Sequence, residues 1–293
     1  MTTIKLKSNN EEVYILQRLL RKAGYAISYD GDFGSKTDKI VRDFQFSHSL
    51  IADGIVGTRT WDELFKRAFK TGDVITGVDV YHHSATETDA FWQEMKEKHY
   101  FCFVKTSEGA TWNDPRFLEQ FNRLKDLKIL RGGYHFFRLL NEDVDGQIKN
   151  FLDSGIDFRE KGVLPPVLDV EPSNDEFKNN KIKLITANRA AVVVRMKKWL
   201  KVVEERTGKR PIIYTSKYIW DEILKAPTGF ENYPLWVANY SDTAKKPTLP
   251  MNWNDYAFWQ YTEMGTVGGI KNFDLNRLNP NISYQKLLQM AGF

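Results

Sequence analysis

Apolar positions recur with two different periods along this chain, and the change falls near residue 70. Before it the period is helical. Val13, Leu16, Leu19 and Leu20 form one stripe that ends near Gly24. Ile40, Val41 and Phe44 form a second stripe, and Trp61, Leu64 and Phe65 a third. Between the stripes stands a repeated turn. Asp30-Gly31-Asp32-Phe33-Gly34-Ser35-Lys36-Thr37 matches Asp53-Gly54-Ile55-Val56-Gly57-Thr58-Arg59-Thr60. The shared pattern is D-G-x-φ-G-x-[KR]-T, where φ is apolar. Asp-Gly supplies a tight reversal, and the second Gly an unusual backbone angle. Ser35 and Thr58 are expected to cap the following helices, with Asp38 completing a capping box after Ser35. The pattern predicts a three-helix domain over residues 1–70, on physics alone a small binding or docking unit.

After a linker over 71–74, strand-like runs alternate with helical ones. The strand candidates are Ile75–Val80, Phe101–Ser107, Ile129–Phe136, Leu164–Glu171, Pro211–Ser216, Leu235–Tyr240, Tyr256–Thr262 and Lys271–Asp274. Helical segments fall near Ala90–Lys98, Pro115–Leu127, Asp143–Ser154, Ile185–Arg206 and Lys217–Leu224. The last three strands lack good helices between them. Residues 75–293 are therefore expected to form an α/β fold, a TIM-like (β/α)5(β)3 barrel. An open doubly wound sheet is the alternative. No G-x-G-x-x-G follows a strand, which weakens a dinucleotide-binding version of it.

Charge narrows the partners. Net charge is +4, with 12 Lys+Arg against 9 Asp+Glu in residues 1–70 and 30 against 29 in the rest. No basic stripe of the nucleic-acid kind exists, so no nucleic acid is expected as partner. The single cysteine, Cys102, excludes an internal disulfide and a Cys-rich metal site, and is expected to be a buried strand residue. No run of 18 apolar residues exists, so no membrane insertion is expected. The start lacks the apolar core of a signal peptide, which points to a chain that begins in a cytoplasm or to a trimmed export signal. No feature demands an oligomer, and a monomer is expected.

Candidate chemistry centres on Pro165-Pro166-Val167-Leu168-Asp169-Val170-Glu171. On a strand, residues i and i+2 share a face, so Asp169 and Glu171 are expected to project together. Two carboxylates in one small space cannot both ionise freely, and the raised pKa leaves a proton to donate near neutral pH. Acid-assisted cleavage of a glycosidic bond needs that proton. Taken alone, the pair also fits a strand end whose acids are solvated or cap a helix.

The other strand ends add to it: Asp79, Glu108, Tyr134-His135, Tyr214, Trp236, Gln260 and Asp274. Barrel chemistry sits at such ends. Closure would bring Asp79 and Asp274 together on one side of the mouth, opposite Asp169 and Glu171. His82, His83, His99 and His135 lack zinc-site spacing, so no metal is expected, and His135 is read as a hydrogen-bonded group near the rim. Trp236, Tyr240, Trp259 and Tyr261 fit either core packing or stacking on sugar faces.

Several segments in order resemble the family-25 glycoside hydrolases, lysozyme-like muramidases that cleave peptidoglycan. They are Gly77-Val78-Asp79-Val80, Lys105-Thr106-Ser107-Glu108-Gly109, Asp114-Pro115, Gly133-Tyr134-His135-Phe136 and Pro166 to Glu171. Ile213-Tyr214, Leu235-Trp236-Val237-Ala238-Asn239-Tyr240, Trp259-Gln260-Tyr261 and Asp274-Leu275-Asn276 follow. Ser107 stands where the family more often has Thr. Residues 10–65 resemble the three-helix peptidoglycan-binding module often fused to wall hydrolases, by their doubled turn.

The resemblance implies bacterial peptidoglycan as substrate, with no cofactor. It implies Glu171 as general acid and Asp169 as the group orienting the substrate's 2-acetamido group. Asp79 and Asp274 become supporting acids, and Tyr134, Tyr214, Trp236, Gln260, Glu108 and Tyr240 substrate contacts. Carboxyls at i and i+2 start about 6.6–7 Å apart. Direct-nucleophile retaining enzymes want roughly 5–5.5 Å and inverting ones roughly 6.5–9.5 Å. Spacing alone does not choose; the family pattern favours a substrate-assisted, retaining route.

Two rivals stand beside this reading. One is a glycosidase of another N-acetylhexosamine polymer, such as a chitinase, although D-x-x-D-x-D-x-E is absent. The other is a wall-binding protein with an inert barrel. For delivery, a phage-type endolysin released from the host cytoplasm is favoured over a secreted enzyme.

Overall fold

The computed structural model of the chain describes residues 1–293 apart from 71, 83–86 and 242. Contacts divide it into two compact units. One comprises residues 1–73 with 283–287 and 293, the other 74–282 with 288–292.

In the first unit, α1 (Glu11–Lys22), α2 (Ser35–Ser47) and α3 (Thr58–Ala68) follow the three apolar stripes. Val13, Leu16, Leu20, Val41, Phe44 and Leu64 are buried among them. Asn10 caps α1 by accepting from the Val13 N–H at 3.2 Å. Ser35 and Thr58 do not cap: Gly34 and Gly57 occupy the cap positions, and neither helix start has a side-chain cap. Asp38 pairs with Arg42 at 2.8 Å instead.

Each repeated turn is closed by a glutamine. Gln17 Nε2 donates to Asp30 Oδ1 (2.8 Å), the Asp32 carbonyl (3.0 Å) and Thr37 Oγ1 (3.2 Å), and its Oε1 accepts from Gly31 N–H (2.9 Å). Gln45 repeats this with Asp53 Oδ1 (3.2 Å), the Ile55 carbonyl (2.9 Å), Thr60 Oγ1 (3.2 Å) and Gly54 N–H (2.9 Å). The pattern's Asp, second position and final Thr are thus partners of one carboxamide. Gly54 has φ +72°, and a Cβ there would sit 2.3 Å from Asp38 Oδ1. Gln45→Ala would strand the buried Gly54 N–H. We expect a loss of about 1–3 kcal/mol from this unit, read by denaturant unfolding followed through Trp61.

The second unit is a closed barrel. Its strands are β1 (Thr76–Val80), β2 (Phe101–Glu108), β4 (Leu130–Phe136), β5 (Val167–Asp169), β6 (Ile212–Ser216), β7 (Leu235–Ala238), β8 (Phe258–Val267) and β9 (Ile270–Leu278). A two-residue β3 (Trp112–Asn113) folds back on β2. Neighbours pair in parallel from β1 through β8, and β9 runs antiparallel between β8 and β1. Helices α4 (Asp89–Lys98), α5 (Phe117–Asp126) and α6 (Val144–Leu152) follow the early strands.

The predicted eight strands are present, and several elements differ from expectation. Strand β5 is only three residues long, so Glu171 lies beyond it. Strands β8 and β9 are longer than expected and meet in a hairpin at Gly268-Gly269, both with positive φ as a primed turn requires. Helix α7 (Asn174–Lys178) was not foreseen, and the helix expected at 185–206 is broken at Asn188 between α8 (Ile182–Ala187) and α9 (Arg189–Thr207). A π-helix, Tyr218–Ile223, replaces the α-helix expected at 217–224, and α10 (Tyr284–Met290) was not foreseen.

Alternation along the strands sorts the residues into two layers. Val78, Val80, Cys102, Val104, Leu168, Ile213 and Val237 pack outward against the helices. Inside the barrel, Phe103 stacks on Trp236 (4.5 Å) and meets Phe258 edge-on (5.2 Å). Gly77 and Gly132 make room for this floor: a Cβ at either would come within 2.5 Å of the Phe101 or Phe103 ring. The floor seals the barrel below its polar mouth. No helix among the described residues is long and apolar enough to cross a membrane.

Candidate active site

The acids foreseen on strand ends gather at the mouth. Asp79 on β1 stands directly opposite Asp274 on β9. Asp274 reaches the mouth from mid-strand, not from a C-terminal end, because β9 runs antiparallel. Asp274 donates a hydrogen bond to Asp79. Asp79 also accepts from Gln260 Nε2 at 3.0 and 3.1 Å and from Asn276 Nδ2 at 2.6 Å. Gln260 Oε1 in turn accepts from the hydroxyls of Tyr214 (2.8 Å) and Tyr240 (3.0 Å). Trp236 Nε1 donates to Asn276 Oδ1 at 2.8 Å. One chain of donors therefore runs from three aromatic side chains to the Asp79 carboxylate.

Asp169 ends β5 and pairs in register with Phe136 and Tyr214. It is 5% exposed, and its Oδ1 is buried with no hydrogen-bond partner among the described residues. Such an atom is costly unless something arrives to use it. Glu171, two residues on, is only partly buried and lines a cavity of about 700 Å³ with Tyr214 and Tyr240.

Burial raises every one of these four carboxyls. Glu171 is pushed up to about 7, by burial first and by the charges of Asp274 and Glu263, against Lys105. Asp79 also reaches about 7, since burial and Glu171 outweigh its amide donors. Asp274 reaches about 9, raised by burial and then by Asp79 and Glu263. Burial and the charge of Glu171 hold Asp169 well above the carboxylate range. The Asp79–Asp274 pair therefore shares a proton, and Glu171 keeps one near neutral pH.

Other predicted residues fall elsewhere. Glu108 is occupied by an ion-pair cluster rather than open to the cavity. Lys105 Nζ donates to it at 2.6 Å, and Arg138 pairs with its other oxygen. Lys105 also lies over the Phe136 ring at 4.6 Å. Tyr134, on β4 beside Lys105, is buried at the mouth with its ring 6.4 Å from Trp236. Trp236 is 2% exposed, part of the barrel floor. Trp259 is buried with its N–H on the Asn239 carbonyl (2.7 Å), and Tyr261 carries Arg277 at 4.0 Å over its ring; both are packing residues.

His135 is not at the rim. It points outward, fully buried, bonded to Ser107 (2.9 Å) and stacked on Trp199. Burial pushes its pKa down to about 3. His82 pairs with Asp114 at 2.9 Å, and His83 lies outside the described residues. Among the described residues, no three His, Cys, Asp or Glu side chains converge as metal ligands do.

Sequence reasoning passed over Lys105, Arg138 and Asn276. Asn276 carried a signal, since it sits at i+2 from Asp274 and so shares its face. Arg138 carried none, because its contact with Glu108 is made across 30 positions of chain.

Two family models match the chain. The family model "Glycosyl hydrolases family 25" matches residues 78–270. A "Putative peptidoglycan binding domain" model matches residues 9–64. The chain is 32% identical to the uncharacterized protein YegX of Escherichia coli O6:H1, over 75% of this chain and 73% of that one. It is 28% identical to Lysozyme M1 of Streptomyces globisporus, over 74% of this chain and 71% of the relative. The crystal structure of a bacterial lysozyme from Streptomyces coelicolor superposes with TM-score 0.66 at 26% identity, covering 75% of this chain and 98% of that one. With Asp79, Asp169 and Glu171 of the mouth lying inside a family match that spans most of the barrel, the chain belongs to glycosyl hydrolase family 25.

Proposed function

We propose that the chain is a 1,4-β-N-acetylmuramidase that cleaves peptidoglycan between N-acetylmuramic acid and N-acetylglucosamine. The observation that carries the mechanism is the contrast between two neighbouring acids. Glu171 borders an open cavity with a pKa of about 7, while Asp169 is buried with one oxygen unpartnered among the described residues.

Glu171 protonates the glycosidic oxygen as the bond breaks. Asp169 Oδ1 accepts the N–H of the substrate's 2-acetamido group and turns its carbonyl oxygen toward the anomeric carbon. That oxygen displaces the leaving sugar and forms a cyclic oxazolinium ion; with the proton of the Asp169–Glu171 pair held on Glu171, whose charge then no longer raises Asp169, the Asp169 carboxylate offsets the ion's positive charge. Glu171, now a carboxylate, removes a proton from water as the water opens the ring. Two inversions give net retention, and the proton returns to Glu171. The Asp79–Asp274 pair, fixed by Gln260 and Asn276, holds the polar floor on which the donor sugar rests. Tyr134 and Tyr214 line the same mouth and serve as its contacts.

Residues 1–70 act as the wall-binding module, joined through 71–74 to the hydrolase over 75–293. The chain works as a monomer, and a phage-type endolysin is the delivery route that this pairing of module and muramidase supports best. Digestion of purified peptidoglycan with mass spectrometry of the products tests the assignment. Muramic acid at the new reducing ends is expected. Glucosamine at those ends would move the cleaved bond and overturn it. Inversion at the product anomeric centre, read by NMR, would remove the substrate-assisted route.

A further inference from the structure

The near balance of charge over the barrel hides one uneven segment. Residues 178–203 carry eight Lys and Arg and no Asp or Glu. They span the end of α7, all of α8 and most of α9. Helices α8 and α9 each bury one side in the barrel's core, through Ile185 and through Val192, Met196, Trp199 and Val203. Their other sides face outward and adjoin at Asn188.

The outward side is apolar as well as basic. Leu184 is 51% exposed and Val194 67%. Ala187, Ala190 and Ala191 are exposed between them. Ala190, Val194, Lys197 and Lys201 stand at i, i+4, i+7 and i+11 and share one helix face. The solvent side of a barrel helix is ordinarily polar, so this run of apolar residues needs a partner. The carboxylates that reach it are already paired. Asp175 holds Lys181 at 2.9 Å, Asp145 holds Lys198 at 2.8 Å and Glu205 holds Lys201 at 3.9 Å. Lys178, Lys183, Arg189 and Lys197 join none of the ion pairs among the described residues. The cavity beside Glu171 is lined by none of residues 178–203, so this face is separate from the mouth.

Charge and apolar surface together select the occupant. A second copy would set like charges against each other across a two-fold axis. A phosphate polymer would meet the lysines and leave Leu184 and Val194 wet. A bilayer with anionic headgroups satisfies both, because headgroup phosphates meet the cations while Leu184 and Val194 reach the acyl boundary. We propose that α8 and α9 form a docking face for an anionic lipid bilayer, which the chain lies on and does not span. Helix α9 links β5 to β6, which pair in parallel, so it runs back along the barrel's flank. Docked by that flank, the barrel keeps its mouth open to the wall polymer. The proposal stands whether or not the barrel is a muramidase.

The test is co-sedimentation of the full chain with vesicles of phosphatidylcholine containing a quarter phosphatidylglycerol, against vesicles of phosphatidylcholine alone. Binding is expected to the first and not to the second. Lys183→Gln, Lys197→Gln and Lys201→Gln combined should weaken it by about 10²-fold, since each charge near an anionic surface is worth about five-fold. Leu184→Ser with Val194→Ser should weaken it by about ten-fold at unchanged charge. All five side chains lie on the surface, so the variants should melt with wild type. No binding to anionic vesicles overturns the proposal, as does binding that neither variant weakens, which would place it elsewhere on the chain. Binding that the lysine variant loses and the serine variant keeps would put a bare phosphate polymer, such as poly(glycerol phosphate) or DNA, on the face and overturn it too.

A fluorophore reads the contact directly. Cys102 is buried, so Val194→Cys offers one accessible thiol for an environment-sensitive label. Its emission should shift to the blue on anionic vesicles. The same label at Leu118→Cys, an exposed position on α5, should not shift. Equal shifts at both positions, or none at 194 on bound chain, overturn the assignment of this face.

Discussion

Glu171→Gln is expected to lower turnover of a peptide-free tetrasaccharide of alternating N-acetylglucosamine and N-acetylmuramic acid by about 10³-fold, within the span general-acid catalysis contributes. Gln keeps the size and hydrogen-bonding reach of the side chain but has no proton to give. The wild-type rate should fall as pH rises through about 7, because burial and the neighbouring acids hold the Glu171 proton up to that point. The variant's residual rate should lack that limb. Fluoride needs little acid help to leave, so the variant should retain much of its rate on the β-fluoride of the disaccharide ending in N-acetylmuramic acid. A variant equally impaired on both substrates would show that Glu171 acts by shaping the site. A variant as active as wild type on the tetrasaccharide would move the acid elsewhere.

Asp169→Asn is the second large effect. Oδ1 of Asp169 is a buried acceptor with no partner among the described residues. Asparagine there keeps the shape but loses the charge that offsets the oxazolinium ion. A drop of about 10²–10³ in kcat is expected, the scale of a lost transition-state electrostatic contact. Substrates lacking the 2-acetamido group should be turned over poorly by wild type and variant alike. A variant that lost KM alone, with kcat intact, would reduce Asp169 to a binding group.

Stability should move the other way. A carboxyl whose pKa is raised on folding stabilises the folded chain below its unfolded pKa, and that contribution is lost as pH rises through the folded value. Asp79 and Glu171 at about 7 and Asp274 at about 9 place this loss between about pH 4 and 9. Asp169 is raised in the same direction. Asp169→Asn should therefore melt higher than wild type at pH 8, with the gap closing toward pH 4. Active sites that hold charge under strain show this exchange of stability for function. A gap that widened toward acid would contradict the cause assigned to the shift.

Much of this was legible in the residues themselves. The helical stripes marked α1, α2 and α3 because a helix that packs on one face must repeat near 3.6. The apolar strand runs marked the barrel because its strands are covered on both faces. Asp79, Asp169, Glu171 and Asp274 stood out because carboxylates at the ends of apolar strands need a reason to be there. The repeated turn was visible as pattern, and its cap was misread: Ser35 and Thr58 have no capping bond, because Gln17 and Gln45 close the loops from a preceding helix. That contact is tertiary and has no local signature.

What the sequence determined by itself was the periodicity, the two-part organisation and the residue types available for chemistry, since each depends on local spacing. The tertiary structure alone decided how those residues share protons and partners. It set Asp274 opposite Asp79 by reversing β9, turned Glu108 toward Lys105 and Arg138, and sent His135 outward into the helix layer. It also opened the aromatic cavity between Phe177 and Tyr218, which lie 41 positions apart. Burial and through-space charge set pKa values, and neither exists until distant strands close into one barrel.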